Sequence, residues 1–252
     1  MKVVIIGSGN AATVLGKKIA TAGHEILQVI SRSIKHAELL ADQLDSTALD
    51  NLKDIDLVAD IYLICVGDNS IKGVANEISG LNGIMAHTAG GVSKNVLKSA
   101  NAFGVLYPIQ SLRKEMKHIP EIPVLVDGSS DEVSKVLFDF ASTWASSVSL
   151  ATDEERLKLH VAAVLASNFT NHLYALTEDF CKQEGVEFRN LLPLIKETAT
   201  RLNLSTAAGL QTGPASRNDT LTINKHLEIL AAYPELKSLY KTLSGSIIKG
   251  IT

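Results

Sequence analysis

The sequence predicts an α/β domain over residues 1–150, built on a doubly wound, mainly parallel sheet, followed by an all-helical domain over residues 151–252. Three observations carry this. Up to Leu150, short runs that are apolar throughout alternate with helical patterns, as strands covered on both faces by crossover helices do. The first of these runs ends in a glycine-rich turn that opens a helix. Beyond Leu150 no stretch reads as a strand, and the helical periodicity continues to the end of the chain.

In chain order, strands are expected at residues 2–7, 25–31, 61–66, 84–87, 103–107, 124–127 and 147–150, with a further short one at 46–49. The helices between them are expected at 11–22, 35–43, 71–77, 94–99 and 132–144. Thr152 followed three residues later by Glu155 is a capping-box signature, opening a helix that runs to about residue 184. Helical patterns follow at 188–202, 219–231 and 234–249.

Composition narrows the function classes. Hydrophobic residues make up 46% of the 252 and charged residues 20%, enough for a sizeable core. The net charge is -3, with no block of Lys and Arg, so a nucleic-acid partner is not expected. No apolar stretch approaches the ~20 residues of a membrane span. The cysteines, Cys65 and Cys181, lie far apart without metal-ligand spacing, and no metal site is expected. Buried, reduced thiols of this kind point to the cytoplasm.

Gly7, Gly9 and Ala12 fit the pattern G-x-G-x-x-A, placed after the first strand and at the start of a helix. The first glycine allows a tight turn, the second lets backbone approach a pyrophosphate, and the small third residue lets helix and strand pack closely. The phosphates then meet the N–H groups and positive dipole end of the helix at Asn10, Ala11 and Ala12. In this context a Rossmann-like dinucleotide site is expected, the alternative being a glycine turn with no ligand. The end of the second strand selects the nucleotide. It carries Ser31, Arg32 and Ser33 and no acid. A guanidinium between two hydroxyls suits the 2′-phosphate of NADP, which a carboxylate would repel; the alternative is a solvated arginine. Two later strand ends, at Val66-Gly67 and Thr88-Ala89-Gly90, are expected to border the ribose and nicotinamide.

A dinucleotide site of this kind needs a proton donor and an anchor for the substrate. On the long helix His160, Asn168 and Asn171 fall on one side, among apolar neighbours from Val161 to Ala166 that read as buried. His160 is a candidate donor, since histidine titrates near neutral pH, or else a hydrogen-bonded structural residue. Asn168 is a candidate for holding a substrate carbonyl, or for bonding between helices. In the short irregular stretch "TGPASRND", Arg217 is a candidate carboxylate clamp or a surface ion pair. Asp219 either orients it or caps the next helix. A helix that is apolar around much of its circumference also suggests a homodimer.

These residues resemble a known group. Gly7-Ser-Gly-Asn-Ala-Ala with Gly16, then Ser31-Arg32, resembles the pyrroline-5-carboxylate reductase-like and deazaflavin-dependent NADP reductase group. The stretches "HTAGGVS", "GVLYPIQSL", "HVAAVLASN" and "LQTGPASRNDTLTINKHLEIL" look like bacterial proteins provisionally named NADP oxidoreductases. Those join a Rossmann-like domain to a helical C-terminal domain of unknown function, and the resemblance covers nearly the whole chain. Two departures stand out: Tyr107 where the family often has His, and Asn218 where it often has Gly. Asn tolerates the left-handed conformation that Gly supplies. Position 164 is Val, not the Lys that 3-hydroxyacid dehydrogenases of similar architecture would carry.

The expected activity is therefore an NADP-dependent oxidoreductase passing hydride between NADPH and a small C=O or C=N substrate, in the cleft between its domains. The alternative is a non-catalytic NADP-binding regulatory or interaction protein.

Overall fold

The chain opens with β1 (Lys2–Ile6), four of whose five residues are buried, and turns at Gly7 into α1 (Asn10–Thr21). There follow β2 (Glu25–Ile30), α2 (Ile34–Leu44), β3 (Thr47–Leu49), β4 (Ile61–Ile64), α3 (Asp68–Glu77) and β5 (Ile84–His87). Then come β6 (Phe103–Pro108), β7 (Pro123–Gly128), α4 (Asp131–Ser142) and β8 (Ser147–Leu150). In this computed structural model, which describes residues 1–250, the strands form one sheet in the order β3-β2-β1-β4-β5-β6-β7-β8. The strands begin and end within two residues of the expected positions.

Alternation along the strands builds two cores. Val3, Ile5 and Leu63 face one side of the sheet with Leu15, Leu40 and Phe140, while Val4, Ile6 and Tyr62 face the other with Ile71, Met85 and Leu97. All pairings are parallel except β6 with β7. No crossover helix intervenes between those two strands, and an antiparallel neighbour needs none. The order reverses direction at β1, whose neighbours are β2 and β4, so the carboxyl ends of β1 and β4 flank the point where ligands bind in such sheets.

Some elements differ from expectation. α3 starts at Asp68, three residues early, and the helix expected at 94–99 is a single 3₁₀ turn, Lys94–Leu97. Ser93 caps that turn, and Lys94 is drawn off to Asp127 on β7. The capping box at Thr152 forms with both of its hydrogen bonds and opens α5 (Asp153–Ala163). The long helix is then interrupted by a π-helical segment, Val164–Phe169, before α6 (Thr170–Gln183).

The chain falls into two compact units, Met1–Asn168 and the residues from Phe169 onward. The sheet ends at Leu150, but the first compact unit runs on through α5. In the second unit follow α7 (Leu192–Thr200), α8 (Thr220–Ile229) and α9 (Pro234–Lys249), joined by 3₁₀ turns. Its buried hydrophobic residues are Cys181, Ala215 and Leu230. The expected burial around Val161–Ala166 does not hold: Val161 and Leu165 are 54% and 57% exposed, because the face that the apolar run forms is turned outward from the buried side of α5, which Arg156 occupies.

Candidate functional site

Gly7 has φ +124°, and a Cβ there would lie 2.3 Å from the carbonyl oxygen of Cys65 on the neighbouring chain segment after β4. Only glycine fits that turn. The third motif position, Ala12, is fully buried, and at Gly16 a Cβ would press on Ile5 and Leu44, so α1 lies close against the sheet. At Gly9, by contrast, a Cβ would meet nothing within 4 Å. Packing among the described residues therefore does not require this glycine.

A cavity of about 640 Å³ opens at these strand ends. Gly7, Ser8 and Gly9 line it, with Ser31, Arg32 and Ser33 after β2 and Val66 and Gly67 after β4. The Ser8 and Ser31 hydroxyls are 2.8 Å apart and tie the first loop to the second. Three helices begin at this cavity: α1 after Gly9, α2 after Ser33 and α3 after Gly67. None has a side-chain cap. The other two α-helices that begin in the first unit, α4 and α5, are capped by Ser130 and Thr152. Uncapped helix starts leave backbone N–H groups free, and three of them around one space form a cradle for anions. Arg32 is exposed and has no ion-pair partner among the described residues, so its guanidinium is not committed to a surface salt bridge.

The lining has the chemistry that a phosphorylated dinucleotide asks for, with helix starts at the Gly9 end and a guanidinium beside two hydroxyls at Arg32, Ser31 and Ser33. Sequence reasoning missed several lining residues. His36 stands in the first turn of α2, Asp50 and Asn51 follow β3, and Ser70, Gly73, Val74 and Glu77 form a helical stripe on α3. The signal that could have found that stripe is Gly73, which costs about 1 kcal/mol in mid-helix and beside which a Cβ would meet nothing within 4 Å. Of the predicted cofactor residues, Asn10, Ala11, Ala12, Thr88, Ala89 and Gly90 do not line the cavity. Asn10 Oδ1 instead accepts from the Lys114 N–H at 3.1 Å.

Thr88, Ala89 and Gly90 lie at the next strand end, after β5. The backbone N–H of Thr88 donates to the Ile64 carbonyl at the end of β4, and its hydroxyl lies close to the same oxygen. Gly90 then passes beneath two aromatic rings. A Cβ on Gly90 would sit 2.8 Å from His160 and 2.9 Å from Tyr107. The Tyr107 Oη and His160 Nδ1 are 3.0 Å apart, with the rings edge to face. His160 is thus brought to the carboxyl ends of β5 and β6 by a partner 53 residues earlier.

Behind the pair lies a buried charge cluster that the sequence did not announce. Arg156, one turn before His160, is 1% exposed; it donates to Asp153 at 2.5 Å and to the Val92 carbonyl at 2.6 Å, and faces Asp127 at 3.9 Å. Burial alone would raise the Asp153 carboxyl, but hydrogen bonds from Ser93, Arg156 and Lys94 hold it below the usual carboxylate range. Burial, helped by Arg156, pushes the neighbouring His87 down to about 4. Burial pushes the Tyr107 phenol up, and Arg156 pulls it part of the way back. Cys65, at the cavity floor, is pushed up to about 12 by burial and is a free thiol with no nucleophilic character.

Asn168 is exposed, within the π segment. Arg217 and Asp219 lie together in the second unit. Asn218 between them adopts the left-handed conformation expected of it, at φ +51°. Asp219 is the N-cap of α8, accepting from the Thr222 N–H at 3.0 Å and its hydroxyl at 2.7 Å, and these bonds lower its carboxyl. Arg217 is exposed and has no ion-pair partner among the described residues. Also among the described residues, no group of His, Cys, Asp and Glu is arranged to hold a metal, and no helix is long and apolar enough to cross a membrane.

Comparison with known proteins gives the family. Residues 2–85 match the family described as NADP oxidoreductase, coenzyme F420-dependent, and residues 122–247 match the domain of unknown function DUF2520. A Bacteroides fragilis protein, provisionally named an NADP oxidoreductase, is 36% identical over 98% of both chains, with a TM-score of 0.91. A pyrroline-5-carboxylate reductase from Streptococcus pyogenes shares the fold at 18% identity and a TM-score of 0.64, covering 99% of this chain and 98% of its own. A reductive aminase from Aspergillus terreus, in complex with NADPH and ethyl levulinate, does so at 15% identity and 0.70, covering 99% and 93%. A search of curated protein sequences finds no match. The chain belongs to the family that joins an NADP oxidoreductase domain to a DUF2520 domain, and it is an NADP-dependent oxidoreductase.

Proposed function

We propose that the protein reduces a small molecule carrying a C=O or C=N bond, with His160 as the proton donor. The observation that carries the reading is the cavity ringed by three uncapped helix starts, with the unpaired Arg32 at its rim. Bound there, NADPH supplies the hydride. The chain's own tasks are to hold the pyrophosphate at Gly7–Gly9 and the 2′-phosphate at Arg32, Ser31 and Ser33, and to place a proton beside the reacting bond. Asn168 is proposed to hold the substrate carbonyl. Within the second unit, Arg217 has no ion-pair partner among the described residues and carries the donor fork suited to a carboxylate, and Asp219 caps α8. The names of two fold neighbours, a pyrroline-5-carboxylate reductase and a reductive aminase, support cyclic imines and keto acids as the first substrates to try.

A second copy of the chain is proposed to cover the second unit, whose Leu194, Leu204 and Leu221 are 62%, 82% and 67% exposed. The buried free thiols fit a cytoplasmic protein. The test is NADPH consumption, followed optically, across a panel of cyclic imines and 2-keto acids. Turnover that falls about 10²–10⁴-fold in His160→Gln supports the reading. NADPH held tightly but never consumed by any member would favour a regulatory binder instead.

A further inference from the structure

The hydrogen bond between Tyr107 and His160 has a direction, and that direction decides which nitrogen of the imidazole faces outward. Tyr107 is buried, packed with Val105 and Leu125, and its Oη has a single hydrogen-bond partner among the described residues, His160 Nδ1. A buried hydroxyl whose proton finds no acceptor is costly, and an unprotonated ring nitrogen is the acceptor at hand. Tyr107 therefore donates, Nδ1 accepts, and a neutral ring carries its own proton on Nε2. Among the described residues the one hydrogen bond of the His160 ring is that at Nδ1, so an N–H on Nε2 is uncommitted. The glycine at position 90 makes the arrangement possible, since any side chain there would displace both rings.

We infer that Tyr107 is a positioning residue that locks His160 in the Nε2–H tautomer and holds the proton that replaces the one His160 gives away. The inference rests on the reduction proposed above. When the substrate heteroatom takes the proton, the Nε2–H bond breaks and the new X–H bond forms. The Tyr107 O–H proton passes to Nδ1, so the imidazole stays neutral and a phenolate is left within the field of the buried Arg156 guanidinium. A solvent proton then reloads Nε2 as the Nδ1 proton returns to Oη. Nothing is oxidised or reduced in this exchange, and the relay ends as it began. The buried Arg156 gives the phenolate a counter-charge that a tyrosine in a wholly apolar site would lack.

The test needs no substrate. Protein labelled with ¹⁵N-histidine is examined by NMR at about pH 8, where unperturbed histidines are neutral, and the His160 signals are identified by their loss in His160→Gln. The expected spectrum has Nδ1 as an unprotonated, pyridine-type nitrogen and Nε2 as a protonated, pyrrole-type one. In Tyr107→Phe, which keeps the ring and removes only the hydroxyl, the two signals are expected to move toward each other as both tautomers become populated. A wild-type ring protonated on Nδ1 overturns the inference without reference to any variant. So does a His160 tautomer unchanged in Tyr107→Phe while the signals of the other histidines stay in place. Either result leaves the nucleotide site untouched, because that reading is tested by NADPH binding.

Discussion

The two units solve the problem of burial in opposite ways. In the first, two apolar clusters flank a sheet whose central strands β1 and β4 are almost wholly buried. In the second, α7, α8 and α9 contain no buried residue at all. The capping pattern differs too. The first unit caps α4 and α5 with side chains and leaves uncapped only the three helices that start at the cavity. The lesson is that unsatisfied groups are informative when their neighbours are satisfied. Three neighbouring helix starts without side-chain caps, beside two that are capped, are the candidate place for an anionic ligand, and exposed leucines across the helical unit are the candidate place for a partner.

The largest effect is expected where the cradle and the core share a residue. Gly7→Ala combines an unfavourable φ with backbone overlap at Cys65, and should cost about 4 kcal/mol of stability together with nucleotide binding. Gly9→Ala should fold with unchanged melting temperature and lose NADPH affinity at least about tenfold, since only the ligand's approach is blocked. Thermal melts and NADPH titrations on the two variants separate the roles; equal loss of stability in both would erase the distinction between core glycine and ligand glycine.

Next comes the pH response of the first unit. His87 is buried and held neutral down to about 4, so the unfolded chain takes up its proton first. The stabilisation is fully present above pH 6.5, declines as the pH falls and is gone below about 4, a loss of about 3 kcal/mol. Asp153 is held below 3.8 and drops out of this window, whereas His24, lowered by burial and by the N-terminal charge, works in the same direction. Urea unfolding between pH 4 and 7 should therefore show a steeper loss in wild type than in His87→Gln, and parallel curves would contradict the assignment.

In the second unit, Leu204→Glu and Leu221→Glu should shift the protein toward the monomer in sedimentation experiments while leaving NADPH affinity intact. Monomeric wild type would show that the bare face serves something other than a second copy. The smallest effect belongs to Asp219→Ala, which removes the cap of α8 and should lower the melting temperature slightly in a thermal melt.

Much of the fold was legible. Strands apolar throughout, the G-x-G-x-x-A turn and the Thr152–Glu155 box each depend on residues close in sequence, and each formed as read. What depended on tertiary context was not. Arg156 sits in "DEERLK", which reads as a solvated helix face, yet the packing of α5 near β7 and the 87–94 loop buries it. The π segment has no local signature in "VLASNF", and it re-phases Asn168 relative to His160. The Tyr107–His160 pair was hidden for the same reason: two residues 53 apart meet only because Gly90 leaves room between two strand ends.

Arg32 is expected to be the residue that selects NADP over NAD in the first unit. The most direct measurement is a fluorescence titration of wild type and Arg32→Ala with NADPH and NADH. Wild type is expected to prefer NADPH by about ten- to a hundredfold, and Arg32→Ala to lose this preference with NADH binding unchanged. Equal affinity of the wild type for both nucleotides, or a preference that survives in Arg32→Ala, would contradict it.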